Sequence, residues 1–312
     1  SVGKALKLYF FKTVLRQDDV NELQVVTFNG AVKQSKSGVD QAAAKAKNVL
    51  LLIHDLIGGS KTMAEGIQSA GIENKFDLVL GYDYENLNTS LQTTAENLKD
   101  KLESAGFGDK DNKKLTILAH GMGGLVARWL IEQDGGNDFV DHLVMCGTPN
   151  EGTPFGNIDK ARKLMGLVTT VAMSTFPALA GFGGAIIGIL NRSKEFTPTL
   201  EEMNTGSDFM KSLKRSDDPG VAYTLLAGDI NGFEETSDDL FKKLLDKASK
   251  SAVFDMIFSK NPHDMLATID SIKGISTSRK PAPKAQTIAC HHLNYFTSDA
   301  GLAALATMFD EQ

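Results

Sequence analysis

The sequence predicts an α/β architecture: a mostly parallel sheet with helices on both faces, led by an N-terminal β-hairpin and carrying a helical lid insertion. Three observations predict it. Six short, nearly continuous apolar runs recur along the chain, as strands buried on both faces do. Segments with helical spacing of apolar residues lie between them. The stretch "LTILAHGMGGLVARWL" (115–130) passes from strand to helix through a turn of small residues.

Two runs at the start, "ALKLYFFKTVL" (5–15) and "NELQVVTFNG" (21–30), are rich in β-branched and aromatic residues and flank the polar "RQDDV". They read as the hairpin, with a polar, Ala/Lys-rich connector over 31–47. The expected sheet strands are "NVLLLIH" (48–54), "FDLVLGYDY" (76–84), "KLTILAH" (114–120), "DHLVMCG" (141–147), "VAYTLLAG" (221–228) and "AQTIACHH" (285–292). Helices are expected over "SLQTTAENLKDKLESAG" (90–106) and "GGLVARWLIEQDGG" (123–136), the latter closing on a glycine pair. Residues 157–215 read as a helical lid or cap and 230–262 as a second helical insertion, within one domain spanning 1–312. In such a sheet, reactive groups belong on loops at the carboxyl ends of the strands.

Of the 312 residues, 42% are hydrophobic and 23% charged, as in ordinary globular proteins. The net charge of −6, without a Lys/Arg-rich stripe, argues against a nucleic-acid partner. Cys146 and Cys290 close or nearly close apolar strands and are expected as reduced core thiols, which with the absence of a signal-peptide pattern makes the cytoplasm the expected compartment. Between Lys163 and Arg192 lie 28 uncharged residues, more than the ~20 that span a bilayer, but Pro177 and five glycines interrupt them. A buried or lid-like helical hairpin is the first reading of 164–191, and membrane-surface contact the second.

The frame Ala119-His120-Gly121-Met122-Gly123 has the form small-x-Nu-x-small, which lets a nucleophile stand clear of a sheet because bulk two residues to either side would strike the backbone. The nucleophile position holds Gly121. A dinucleotide-binding turn is the rival, but that turn opens the first βα unit and carries a further glycine this one lacks.

"LAHGMGGLVAR" resembles the nucleophile segment of the lipase-like branch of the α/β-hydrolase fold, where serine matches Gly121. The resemblance runs from about Asn48 to Phe296. "LLIHDLIGGS" (51–60) is similar to that family's oxyanion strand and loop, which usually has glycine at the place of Asp55. "MCGTPNEGTPFG" (145–156) resembles the strand and exit loop after the elbow. "LEEMNTGSDFMKSL" (200–213) is like the return from lid to sheet. By this resemblance the general base is His292, which precedes "LNYF", with His291 as the alternative. The acid is Asp264 in "NPHDMLATIDSI", with Asp229 in "LLAGDI" as the alternative. The order of nucleophile, acid and base is that of the fold.

Met122 and Leu56, with Asp55 as its neighbour, are expected to bring N–H groups to an oxyanion hole. A carboxylate at Asp55 opposes the charge such a hole stabilises, so its side chain is expected to turn outward. His54 and His120 are expected to hold turn backbone. His142 and His263 show no metal-ligand spacing, and neither metal nor cofactor is implied.

The resemblance implies a serine ester hydrolase acting on a small-molecule ester or lipid acyl ester, nearly inert as written. Loss of the nucleophile costs about 10⁶-fold in turnover. An imidazole and carboxylate kept at matching loops favour an engineered loss of serine from an active enzyme. Asp55 favours the alternative, a natural pseudohydrolase that binds a ligand or protein.

Overall fold

The computed structural model describes residues 21–55, 59–84, 89–108, 113–157, 159–160, 197–232 and 257–310. Its centre is an eight-stranded sheet in the order β2-β1-β4-β3-β5-β6-β7-β8. The first pair is a hairpin, β1 (Glu22–Asn29) and β2 (Ala31–Ser35), and β1 also runs antiparallel to β4 (Leu78–Asp83). From β4 the sheet is parallel through β3 (Asn48–Ile53), β5 (Lys114–His120), β6 (His142–Cys146), β7 (Ala222–Gly228) and β8 (Lys284–Ile288).

The hairpin differs from the sequence expectation. The chain reverses at Asn29-Gly30, where Gly30 has a φ of 77°, and pairs Asn29 with Ala31. The segment expected to be a connector supplies β2 and a helix, α1 (Val39–Lys45). Asn-Gly between apolar alternations is a strong short-range hairpin signal; "RQDDV" lies outside the described residues. The run 5–15 lies outside the described residues.

Continuous apolar strands follow from two-sided burial. In β3, Val49, Leu51 and Ile53 face a core shared with α3 (Leu91–Ser104) and α4 (Met122–Glu132), while Leu50 and Leu52 face a second core with α2 (Ser60–Ser69) and α8 (Asp299–Asp310). Ser90 caps α3, accepting the Thr93 N–H at 3.0 Å. β8 departs from the pattern: it ends at Ile288 and its first four residues are exposed, because it is the edge strand. Cys146 and Cys290 are free and buried, and burial pushes both thiols up.

Of the expected lid, the described residues include α5 (Thr197–Glu202) and α6 (Asp208–Arg215); a short turn (Pro154–Gly156) precedes it. The stretch 164–191 and most of 230–262 lie outside the described residues. A one-turn helix, α7 (Ile269–Ile272), follows the loop carrying Asp264. No helix among the described residues is long and apolar enough to cross a membrane.

Candidate functional site

The parallel strands deliver their carboxyl ends to one place: His54 and Asp55 follow β3, His120 closes β5, Gly147 follows β6, and His291 and His292 lie beyond β8. Gly121 has φ 51° and ψ −121°, a conformation that side chains with a Cβ rarely adopt. It turns β5 directly into α4. The helix can start so close to β3 because Gly123 has no side chain; a Cβ there would meet His54 O at 2.5 Å and Ile53 O at 2.6 Å.

His292 Nδ1 lies 2.7 Å from Asp264 Oδ2. As that carboxylate accepts, Nδ1 donates, and the tautomer follows from the partner. Asp264 is completely buried and its carboxylate meets only donors: Leu266 and Ala267 N–H reach Oδ1 at 2.9 Å, and the Tyr295 hydroxyl reaches Oδ2 at 3.1 Å. Tyr295 in turn accepts the Gly228 N–H at 2.6 Å, tying the acid to the end of β7. Tyr295 was visible in the sequence only as part of "LNYF", with no role attached.

The two alternatives occupy other places. Asp229 Oδ1 accepts from the backbone and side chain of Asn231, at 2.9 and 3.1 Å, and shapes its own turn. His291 Nδ1 accepts the Leu293 N–H at 3.2 Å.

Asp55 does not turn outward. It is 3% exposed; Oδ1 accepts the Met122 N–H at 2.7 Å and Oδ2 lies 3.1 Å from His292 Nε2. This corrects the expectation from sequence, and the reason is physical. Gly121 leaves space beside an imidazole, a buried carboxylate needs a cation and donors, and both are there. A Cβ at position 121 would fall on Oδ1 and Cγ of Asp55 and lie 2.9 Å from His292 Nε2. The N–H of Met122, expected for an oxyanion, is thus taken by a carboxylate of the chain itself. Leu56 lies outside the described residues.

The Asp55 backbone is held from behind. His54 Nδ1–H donates to Asp55 O at 2.6 Å, Tyr84 donates its hydroxyl to His54 O at 2.6 Å, and the rings of His54 and Tyr84 stack at 4.4 Å. His120 donates from Nε2 to His292 O at 2.8 Å. Both histidines therefore hold turn backbone.

The electrostatics are those of an anion, a cation and an anion in a dry site. Burial works against a charged His292, which is 2% exposed, yet the Asp264 and Asp55 carboxylates outweigh it and raise its pKa to about 10. Burial likewise opposes the two carboxylates, but the facing imidazolium and their N–H donors hold both below the usual carboxylate range. Burial, and then the His292 charge, lower His120 to about 4, so this ring stays neutral. Asp55, His120 and His292 bring one metal-capable atom each within 4.8 Å of one another. The His120 and His292 rings, however, stack at 4.8 Å with 28° between their planes. Face-to-face rings do not aim their lone pairs at one ion, and His292 Nε2 is already committed to Asp55, so the trio does not fit a metal.

A family model described as "Domain of unknown function (DUF7379)" matches residues 15–310. No curated protein matches the chain. Among solved structures, lipase BlEst2 of Bacillus licheniformis in its mature form is similar with a TM-score of 0.54 and 18% identity, over 86% of this chain and 92% of that one. The propeptide form of the same lipase gives 0.55 and 17%, over 85% of this chain and 51% of its own. A carboxylesterase structure from Nitrososphaera gargenis gives 0.46 and 15%, over 86% and 91%. At such identities the BlEst2 likeness carries the fold alone: with its mostly parallel eight-stranded sheet covered on both faces, the chain has the α/β-hydrolase fold, a hydrolase-like scaffold.

Proposed function

The chain belongs to the DUF7379 family, and we propose that it is a pseudo-esterase: a hydrolase-like scaffold that has left serine ester chemistry, with the Asp55 carboxylate standing where a serine oxygen would. One observation carries this reading. Asp55 fills the volume of a side chain on Gly121 and takes both partners that acyl transfer needs, the Met122 N–H and His292 Nε2. The Met122 N–H, which a substrate carbonyl would need, is already taken, and a developing oxyanion there would meet a negative charge.

The same contact weighs against an engineered replacement of serine by glycine. Such a change leaves position 55 alone, yet this Asp55 and a serine at 121 exclude each other. The two residues make sense as an exchange, one side chain gained where another was given up. Ester or lipid ligands suit the scaffold by its likeness to a lipase, so aryl esters of short and long acyl chains are the right probes.

Three proteins test the reading: wild type, Gly121→Ser, and Gly121→Ser with Asp55→Gly. The first two are expected to be silent. The double variant is expected to gain ester hydrolysis that a further His292→Ala removes. Ester hydrolysis by the wild type that His292→Ala abolishes would overturn the reading, and so would full activity from Gly121→Ser alone.

A further inference from the structure

The sheet carries a second recess at its other end. A cleft of about 890 Å³ opens where the parallel strands begin, lined in part by Lys114, His142, Ala222 and Lys284, the first residues of β5, β6, β7 and β8. Asp55 and His292 lie beyond the opposite, carboxyl ends, so the two places share no residue. The volume is within the ~300–1,000 Å³ of small-molecule sites. From its geometry we propose that this cleft binds an elongated amphiphilic carboxylate, an organic acid with an unbranched hydrocarbon body.

The floor is built for a ligand with polar atoms. Residues two apart on a strand share a face. Leu118, Val144, Leu226 and Ile288 belong to the core that also holds Leu305, Met308 and Phe309 of α8. Two residues earlier on that same face, the four strands carry Thr116, His142, Thr224 and Gln286, and all four line the cleft. The face therefore turns from apolar to polar across four strands together, where the last turn of α8 ends. An open sheet face washed by solvent would leave such side chains exposed. Here Thr116 and Thr224 are buried and His142 is half-buried, with its Nε2 2.8 Å from the Thr224 hydroxyl.

Charge and shape give the ligand class. Lys75, Lys114 and Lys284 line the cleft against one carboxylate, Asp141, whose Oδ2 already accepts the Leu115 N–H at 2.8 Å. In a chain of net charge −6 this is a local excess of positive charge, and it draws an anion. Lys114 and Lys284 begin strands three places apart, about 14 Å at ~4.8 Å per strand. Charges spread in this way suit a long ligand better than a compact ion such as phosphate. Lys75 Nζ donates to Phe309 O at 3.3 Å, which sets one ammonium group at the end of α8. Beside it the Phe76 and Phe309 rings meet edge to face at 5.7 Å and, with Met308, form an apolar wall. A carboxylate among the lysines with its hydrocarbon along that wall satisfies both surfaces.

The test titrates wild-type protein with octanoate below its micelle-forming concentration, using calorimetry for affinity and backbone-amide NMR for place. Saturable binding is expected, with the largest shifts at the first residues of β5 to β8 and at Met308 and Phe309. The three lysines are exposed, so Lys75→Gln, Lys114→Gln and Lys284→Gln can be combined without disturbing the core. That triple variant is expected to bind octanoate about tenfold more weakly, the sum of three exposed charge contacts. Octan-1-ol, the same body without the charge, is expected to bind wild type at least as weakly as octanoate binds the variant. Absence of saturable octanoate binding would overturn the proposal. Largest shifts around His292 would put the ligand in the other site and overturn it too, as would equal affinity of wild type and triple variant. Ester silence, read in the separate assay above, is unaffected by any of these results.

Discussion

The carboxylate of Asp55 lies where any side chain on Gly121 would have to be. Placing serine at 121 therefore costs twice: the positive φ disfavours a Cβ by about 1–3 kcal/mol, and the crowding against Asp55 adds about 1–3 kcal/mol of overpacking. Gly121→Ser should unfold at clearly lower urea concentration than wild type. The double variant with Asp55→Gly should recover the crowding part and keep the strain. A double-mutant cycle on urea midpoints checks this, with a favourable coupling of about 0.5–3 kcal/mol expected between the two sites. Strict additivity would mean that the side chains do not compete for space.

The buried charges predict a two-sided pH dependence. His292 is raised from 6.5 to about 10, so its contribution to stability is complete below 6.5 and is lost as pH climbs toward 10. Asp55 and Asp264 are held below 3.8, so theirs is complete above 3.8 and lost as pH falls through the depressed values. The groups facing the imidazole are Asp264, Asp55, the neutral His120 and the Tyr295 ring. In Asp55→Asn one of the two carboxylates is neutral, and the alkaline limb should move to lower pH. Stability against urea across pH, together with NMR titration of the His292 ring, reads the shift. An unmoved limb would show that Asp55 does not hold the proton.

Much of the sheet was legible because two-sided burial writes itself as apolar runs. The strands β3, β5 and β7 fall within one residue of their expected spans. The pairing of Asp264 with His292 was implied by the resemblance of their two segments; order along the chain alone left Asp229 open, since it too follows a parallel strand. What could not be read was the direction of Asp55. A side chain's aim depends on a vacancy and a cation supplied by residues 121 and 292, far along the sequence, and only packing brings the three together. Tyr295 escaped for the same reason. Its hydroxyl matters only because β7 ends beside it.

Replacing Tyr295 by Phe keeps the ring and removes the hydroxyl. The buried Gly228 N–H then loses its acceptor and Asp264 Oδ2 loses a donor, and an unsatisfied buried group costs about 1–3 kcal/mol. The unfolding free energy should fall by that amount, read as a lower urea midpoint without a change in the slope of the transition, because no cavity forms and the compactness of both states is kept. A midpoint equal to wild type would mean that the hydroxyl contributes nothing to holding the acid.

Glu132, at the far end of the elbow helix, tests whether the scaffold and the site can be separated. Its side chain is fully buried and is shared by Arg128 at 2.7 Å, Arg279 at 2.8 Å and the Tyr223 hydroxyl at 2.9 Å. Both guanidinium groups are themselves buried, and Arg279 comes from the loop beyond α7, so this carboxylate pins the helix to the chain that follows the Asp264 loop. The two arginines overcome the burial that opposes it and hold its pKa at about 2. In Glu132→Gln two cations remain buried without a counter-ion, a loss of about 3–5 kcal/mol. Glu132 lies ten residues from Met122 along α4, roughly 15 Å at 1.5 Å per residue. The prediction is therefore split: the thermal midpoint drops sharply, while the His292 ring titrates as in wild type. A shifted His292 titration in a folded Glu132→Gln protein would mean that this network reaches the site and does more than hold the helix.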